Sequence, residues 1–334
     1  MRATVVGIYG AYYQVRIEDG GPENGFENSK SGKIILGKTR GKLRLKNEPA
    51  VYGRPRERHL LTIGDAVEIE LAGNQEGEAN IVKLYDRKNS FQRATIYQKQ
   101  TLGANLSAVI VISSVDFPEF NGGLLARILV ETALCKIKPV LILNKMDLPK
   151  KNPQPRYDEV IKIMEYFTGQ LNFSVFFETF SDGISGALRK EISSGRYLAF
   201  GESGVGKSSF INQMMGKKIQ AVDMGQIVLK GRHITTNPVL YEMAGGIELI
   251  DVPGIREFGL MHRTRFEIAA GFAEFEDLKC RYDDCLHLDE PDCGVKAALE
   301  QNHFPKFRYE QYTNIMRSMM EHHKPRRGDM RNLR

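Results

Sequence analysis

The stretch GESGVGKSS at residues 201–209 sets closely spaced glycines beside a lysine and two hydroxyls. Gly201, Gly204 and Gly206 allow the backbone to wrap so that its N–H groups converge on phosphate oxygens. The apolar run RYLAF before it predicts a strand, and KSSFINQMM after it predicts a helix whose positive end adds to the attraction. In that setting G-x-x-x-x-G-K-S is a phosphate-binding loop. Its expected nucleotide contacts run through Gly201, Glu202, Ser203, Gly204, Val205, Gly206, Lys207, Ser208 and Ser209. Lys207 is expected to reach the β- and γ-phosphates in a catalytic role, and Ser208 to offer its hydroxyl to Mg2+.

The base is read elsewhere. NKMD at 144–147 follows the buried-strand pattern PVLIL, at a carboxyl end where open α/β sheets bind ligands. Asp147 can accept hydrogen bonds from the N1–H and exocyclic amine of guanine, Asn144 can brace the phosphate loop, and the Lys145 stem can cover the base. Four letters alone are a weak signal, and the bland reading of Asp147 is a helix N-cap. IELIDVPG at 247–254 adds a strand ending in D-x-x-G, so Asp251 can hold Mg2+ through water and the Gly254 N–H can meet the γ-phosphate. Ser181, after SVFF, falls where a Ser-Ala pair would approach guanine O6, with Asp182 in place of the alanine.

The order is unusual: guanine loop, Ser loop, phosphate loop, threonine region, DxxG. Moving the last two motifs of an ordinary GTPase to the front of the chain produces it with nothing missing. Circular permutation relocates termini and leaves the packed sheet intact. One consequence is expected to be mechanical: the segment after DxxG runs out through REFGLMHRTRFE into the C-terminal region, which would carry nucleotide state there directly.

KGRHITTNPVLY at 230–241 stands where the first switch belongs. Thr235, in preference to Thr236, is expected to coordinate Mg2+ and sense the γ-phosphate; the alternative is that both are surface loop residues. Ras-like enzymes orient the attacking water with a glutamine just after DxxG, but here that residue is Ile255, so slow intrinsic hydrolysis is expected. His233 is the nearest residue in sequence able to position water, although it could instead only steady the loop or touch RNA.

Cys280, Cys285, His287 and Cys293 give C-x4-C-x-H-x5-C. Three thiolates and an imidazole make a closed tetrahedral zinc set of structural type, the alternative being a redox pair with a spare histidine. The fourth cysteine, Cys135, lies in an apolar helical pattern and reads as core.

The supporting elements divide into three expected domains. Residues 1–90 carry the strand-like runs VVGIYGAYYQVRI, KIILG, KLRL, DAVEIEL and ANIVKLY, which suit a small OB-fold barrel. Ten Lys or Arg lie between residues 30 and 58, with Tyr12, Tyr13 and Tyr52 nearby. This is either a solvated face or an RNA grip. Residues 91–262 alternate buried strands with amphipathic helices, implying a mainly parallel sheet. Residues 263–334 read as mostly helical, ending in the basic KPRRGDMRNLR.

Composition sets only broad bounds. Hydrophobic content of 42% and charged content of 26% are those of an ordinary globular chain, and the net charge of +6 is mildly compatible with a polyanion. The apolar runs are too short to span a bilayer, so no membrane partner and a cytoplasmic location are expected.

These motifs together resemble the circularly permuted, small-subunit-dependent GTPases of the RsgA family over essentially the whole chain. The resemblance implies an OB-fold, a GTPase domain, one structural zinc in the C-terminal domain, and a role in late maturation of the 30S ribosomal subunit through 16S rRNA. It further implies a monomer that hydrolyses GTP to GDP and phosphate in a ribosome-stimulated way. The family commonly has three threonines after its switch histidine, whereas this chain has Ile234, Thr235 and Thr236. The rival readings are a guanine-nucleotide-binding rRNA structural factor with negligible turnover and a metabolic P-loop kinase. Asp147 and the DxxG strand argue against the kinase.

Overall fold

The computed structural model describes residues 1–18, 32–39, 56–57, 59–72, 78–96, 98–148, 154–216, 238–252 and 258–322. The run VVGIYGAYYQVRI is split at Gly10, whose φ of 64° suits a residue without Cβ. It yields β1 (Arg2–Tyr9) and β2 (Tyr12–Ile17) rather than one strand. With β3 (Ile34–Thr39), β5 (Ala66–Leu71) and β6 (Glu78–Leu84) they close a barrel in the order β1-β2-β3-β6-β5. Only β3 and β6 pair in parallel, and the resulting order is that of an OB-fold barrel. Val5, Val15, Ile35, Val67, Ile69 and Ile81 alternate inward to fill it. The expected strand KLRL at 42–45 lies outside the described residues.

The two-residue strand β4 (Arg56–Glu57) leaves the barrel and joins β8 (Gln98–Ala104), which pairs with β7 (Ser90–Ala94) in a small separate sheet. Sequence patterning did not indicate this hairpin, because its strands carry the polar run QRATIYQKQ without apolar alternation.

The large sheet follows. Its strands and helices, in chain order, are β9 (Ala108–Ser114), α1 (Gly122–Leu134), β10 (Lys138–Asn144), α2 (Gln154–Gly169), β11 (Ser174–Phe177), α3 (Gly186–Glu191), β12 (Gly195–Gly201), α4 (Lys207–Met215), β13 (Val239–Met243) and β14 (Ile247–Asp251). The spatial order is β11-β10-β9-β12-β14-β13, parallel except for β13. Central β9 is buried on both sides: Val109 and Val111 join one core cluster, and Ala108, Ile110 and Ile112 join the other. This explains why SAVIVIS is continuously apolar.

Beyond the sheet lie α5 (Arg265–Ala270), α6 (Gly294–Glu300) and α7 (Lys306–His322). Thr264 and Glu267 form a reciprocal cap at the start of α5. This region is fixed to the sheet's helices by a buried ionic cluster. Arg308 of α7 pairs with Glu274 and lies between the rings of Phe167 and Phe272, at 5.4 and 4.6 Å. The Tyr166 hydroxyl of α2 donates to the same carboxylate at 3.1 Å. At the barrel, Arg16 pairs with Glu242 and Glu248, and Arg196 of β12 joins Glu248 at 2.7 Å and the Gly64 carbonyl at 2.9 Å.

The chain after DxxG differs from expectation. It does not pass directly into the C-terminal helices; residues 258–263 first dock on β7 and α1, where the buried Glu131 requires cationic partners. Among the described residues, no helix is long and apolar enough to cross a membrane.

Glu274→Ala should leave Arg308 charged and unpaired in the interior. Urea titration is expected to read a loss of about 3–5 kcal/mol. A Glu274→Leu/Arg308→Met double variant should recover most of it, since a buried pair replaced by apolar groups costs little.

Candidate nucleotide site and cysteine cluster

β12 delivers Gly201 to the loop, and Gly206 starts α4 in a left-handed conformation with φ of 103°. A Cβ on Gly206 would lie 2.2 Å from Nδ2 of Asn144, and one on Gly201 would lie 2.8 Å from the carbonyl oxygen of Ile112. Both glycines are therefore required by close approach, and Gly206 by its dihedral angle as well. Glu202, Ser203, Gly204, Gly206, Lys207, Ser208 and Ser209 line a pocket of about 350 Å3 at the helix N-terminus. The first-turn N–H groups of a helix have no partner within it, so this end favours an anion.

Asn144 ends β10 and is buried. Its Nδ2 donates to the carbonyl of Val205 at 2.8 Å, and its Oδ1 accepts from the N–H of Phe180 at 3.0 Å. One amide thus joins the guanine loop, the phosphate loop and the Ser181 loop. Lys145, at a φ of 66°, donates through Nζ to the carbonyl of Phe117. Asp147 is exposed, and Ser181, also exposed, donates to Asp182 at 3.2 Å.

Parallel pairing sets Ala199 of β12 opposite Asp251 of β14. As a result Lys207 at the start of α4 reaches across to Asp251 as an ion pair, and its Nζ also donates to the carbonyl of Val252 at 2.5 Å. A cation and a carboxylate therefore meet at Lys207, which lines the pocket together with the exposed Ser208. His233, Thr235, Thr236, Gly254 and Ile255 lie outside the described residues.

Two features of this rim were not read from sequence. Asn121, which caps α1 by accepting from the N–H of Leu124, also donates to Glu202 at 3.1 Å. Pro118 lies 3.8 Å from where a Cβ on Gly204 would stand. The loop after β9 thus touches both the phosphate loop and Lys145, and nothing in VDFPEFN signals it.

Among the described residues, the cysteine cluster is compact. The ligand atoms of Cys280, Cys285, His287 and Cys293 all lie within 4.8 Å of one another. Cys280 Sγ is 3.8 Å from Cys293 Sγ and 3.4 Å from His287 Nδ1, and Cys293 Sγ is 3.5 Å from that nitrogen. Tetrahedral Zn–S bonds of about 2.3 Å place sulfurs about 3.8 Å apart, so the donor set fits a tetrahedral ion. Burial pushes the His287 pKa down against Glu290, which favours the neutral, ligating imidazole. Burial disfavours the Cys280 thiolate, but hydrogen bonds from the N–H groups of Gly294 and Val295 and from the Cys285 and Cys293 thiols lower the pKa. Cys285 is pushed up to about 12 by burial and its neighbouring thiols, a cost that metal binding would have to meet by displacing its proton.

The loop carrying these ligands is held from α7: Tyr309 and Tyr312 donate to the carbonyls of His287 and Leu286 at 2.7 and 2.6 Å. Glu290 accepts from the N–H groups of Leu286 and Leu288. Cys135 lies apart, its thiol pushed up to about 12 by burial and Glu131.

A phosphate loop on a six-stranded sheet, braced by the asparagine of an N-K-x-D loop that precedes it in sequence, defines a circularly permuted P-loop nucleotide-binding protein. A sequence model of the RsgA GTPase family matches residues 84–261. A relative from Haemophilus influenzae (strain PittGG), the small ribosomal subunit biogenesis GTPase RsgA, is 31% identical over 269 residues, covering 78% of this chain and 76% of its own. The crystal structure of YjeQ from Thermotoga maritima superposes with a TM-score of 0.68 at 26% identity, over 97% of this chain and 99% of that one. YloQ, a circularly permuted GTPase, shares the fold with a TM-score of 0.66 at 22% identity, over 97% and 96% of the two chains. The chain belongs to the RsgA GTPase family, and is a GTP hydrolase by class.

Gly206→Ala should force Asn144 out of its place between the loops. Titration calorimetry is expected to read a loss of GDP affinity of about tenfold or more, with circular dichroism unchanged.

Proposed function

We propose that this protein binds GTP at the phosphate loop and hydrolyses it to GDP and phosphate while engaged with the small ribosomal subunit. The observation that carries the reading is the Asn144 amide, which fastens the guanine loop to the phosphate loop at 2.8 Å. A nucleotide held by the phosphate loop then presents its base to Asp147 and Ser181, with the Lys145 stem over the ring. Guanine offers Asp147 two donors that adenine lacks, which supports discrimination against ATP.

In the bound complex, Lys207 turns from Asp251 to the β- and γ-phosphates, and the loop N–H groups from Gly201 to Ser209 cradle the α- and β-phosphates. Ser208, Asp251 and Thr235 would hold Mg2+, which would neutralise charge on the phosphate oxygens. Water attacks the γ-phosphorus, the bond to the β–γ bridging oxygen breaks, and GDP leaves with that oxygen. His233 orients the water, because Ile255 has no polar group to do so.

The relatives' name supports the small-subunit partner. The barrel, with the basic stretch 30–58, and the basic tail grip 16S rRNA. We assign residues 1–90, 91–262 and 263–334 to the barrel, the permuted GTPase domain and the zinc-binding helical domain of a cytoplasmic monomer. Cys280, Cys285, His287 and Cys293 hold the zinc, whose part is structural.

Turnover of GTP and ATP by the purified chain is measured alone, with 30S and with 50S subunits. GTP-specific stimulation by 30S, lost in His233→Ala with GDP affinity retained, is the expected result. A rate flat across all three conditions would instead favour an rRNA-bound guanine-nucleotide protein with negligible turnover. Metal analysis should find about one zinc per chain. Cys285→Ser should lose it and lower the thermal midpoint, whereas zinc retained by that variant would remove Cys285 from the ligand set.

A further inference from the structure

The chain downstream of Asp251 is fastened to the GTPase core at three points. Phe258, 3% exposed, is wedged between Phe91 of β7 and Phe200 of β12, with ring centroids 5.4 and 5.5 Å away. Phe200 immediately precedes Gly201, the first glycine of the phosphate loop. The backbone is next bridged to β7: the Ala94 N–H donates to the Gly259 carbonyl at 2.8 Å, and the Met261 N–H donates back to the Ala94 carbonyl at 3.2 Å. Gly259 permits this approach, since a Cβ there would lie 2.3 Å from the Ala94 oxygen.

The third point is ionic. Arg263 donates through Nε and Nη2 to the two oxygens of Glu131, both at 2.9 Å, and His262 Nε2 lies 3.3 Å from the same carboxylate. The Glu131 side chain is wholly buried in the last turn of α1. Burial opposes its ionisation, yet hydrogen bonds from His262 and Arg263 hold its pKa below the ordinary value. A buried carboxylate with this pairing keeps its partners in place, because releasing them strands the charge.

We propose that residues 258–263 are the fixed far end of the segment that begins at Asp251, and that Glu131 and Phe258 are positioning residues for GTP hydrolysis. This rests on the reading of the pocket as a GTP-hydrolysing centre. Five residues join Val252 to Phe258, so the chain that follows the DxxG aspartate is bounded on both sides by the same core that carries the phosphate loop. Neither Glu131 nor Phe258 lines the nucleotide pocket. Loosening either one therefore degrades the alignment of reacting groups while leaving ground-state binding intact, and misalignment by about 1 Å costs on the order of a hundredfold in rate.

The test uses the full chain carrying Glu131→Gln, which keeps the shape and removes the charge, or Phe258→Leu, which removes the ring. The expected result in both is a kcat lowered about tenfold or more, with KM for GTP and Kd for GDP within about twofold of wild type. A folded variant with unchanged kcat overturns the proposal, as does one in which kcat and nucleotide affinity fall together. Should Glu131→Gln fail to fold, Phe258→Leu carries the same decision. Turnover is measured with 30S subunits present throughout, wild type first. Its absence sinks the hydrolase reading and this inference with it, whereas wild-type turnover with unaffected variants sinks the inference alone.

Discussion

The rest of the site depends on one side-chain amide. Asn144 is the point at which three loops, far apart in the chain, acquire fixed relative positions, because its donor and acceptor are each used on a different loop. An amide has both functions in one rigid plane, which neither aspartate nor leucine of the same size can offer. Its burial makes the constraint strict: losing either partner would leave a buried polar group unpaired, at a cost of about 1–3 kcal/mol. Gly206 is the complementary half of this arrangement, since only a residue without Cβ leaves room for the amide. Permutation of the chain is harmless for the same reason. The contact is between carboxyl ends of strands in one sheet, and it is indifferent to where the termini fall.

The ionic networks extend this logic outward. Arg16 and Arg196 gather on Glu248, tying the barrel to the strands that lead to Asp251, and Arg308 ties α7 to α2 through Glu274. Glu248 shows the balance of forces directly. Burial pushes its carboxyl pKa up, but Arg196 and Arg16 pull it below the usual value, so it remains charged. A lowered carboxyl pKa contributes stability that is present above the unfolded value and is lost as pH falls through the folded one. The barrel–sheet contact is therefore an ionic one that weakens in acid, while the aromatic packing around Arg308 provides apolar burial beside its charge.

What could be read from sequence was whatever obeyed a local rule. The phosphate loop, the buried parallel strands and the helix at 207–215 follow from glycine spacing and apolar runs, and α4 (Lys207–Met215) begins and ends where the pattern puts it. The cysteine spacing singled out four candidate ligands whose donor atoms do converge. The β7–β8 hairpin was not legible, because its residues are stabilised by pairing with β4 and docking of residues 258–261 rather than by an apolar face of their own. The rim from Phe117 to Asn121 was missed since its contacts run through backbone carbonyls and a cap. Glu131 did leave a trace. It continues the buried stripe of Leu124 and Ile128, where a carboxylate has no reason to be unless a cation meets it.

That trace changes how the permutation should be understood. Rejoining the chain elsewhere gives the DxxG segment an exit toward a different domain, and sequence order alone suggests a free lever. Yet an exit that began loose would surrender the alignment the sheet provides, because the residues after Asp251 would follow the motion of whatever lay downstream. The buried Glu131 pair and the Phe91–Phe258–Phe200 ring cluster prevent this by fastening the segment to α1, β7 and β12 before α5 begins. The same elements that carry the phosphate loop thus bound the chain after Asp251 on its far side, as an unpermuted domain would do by simple chain continuity. In this chain the continuity is replaced by packing and charge.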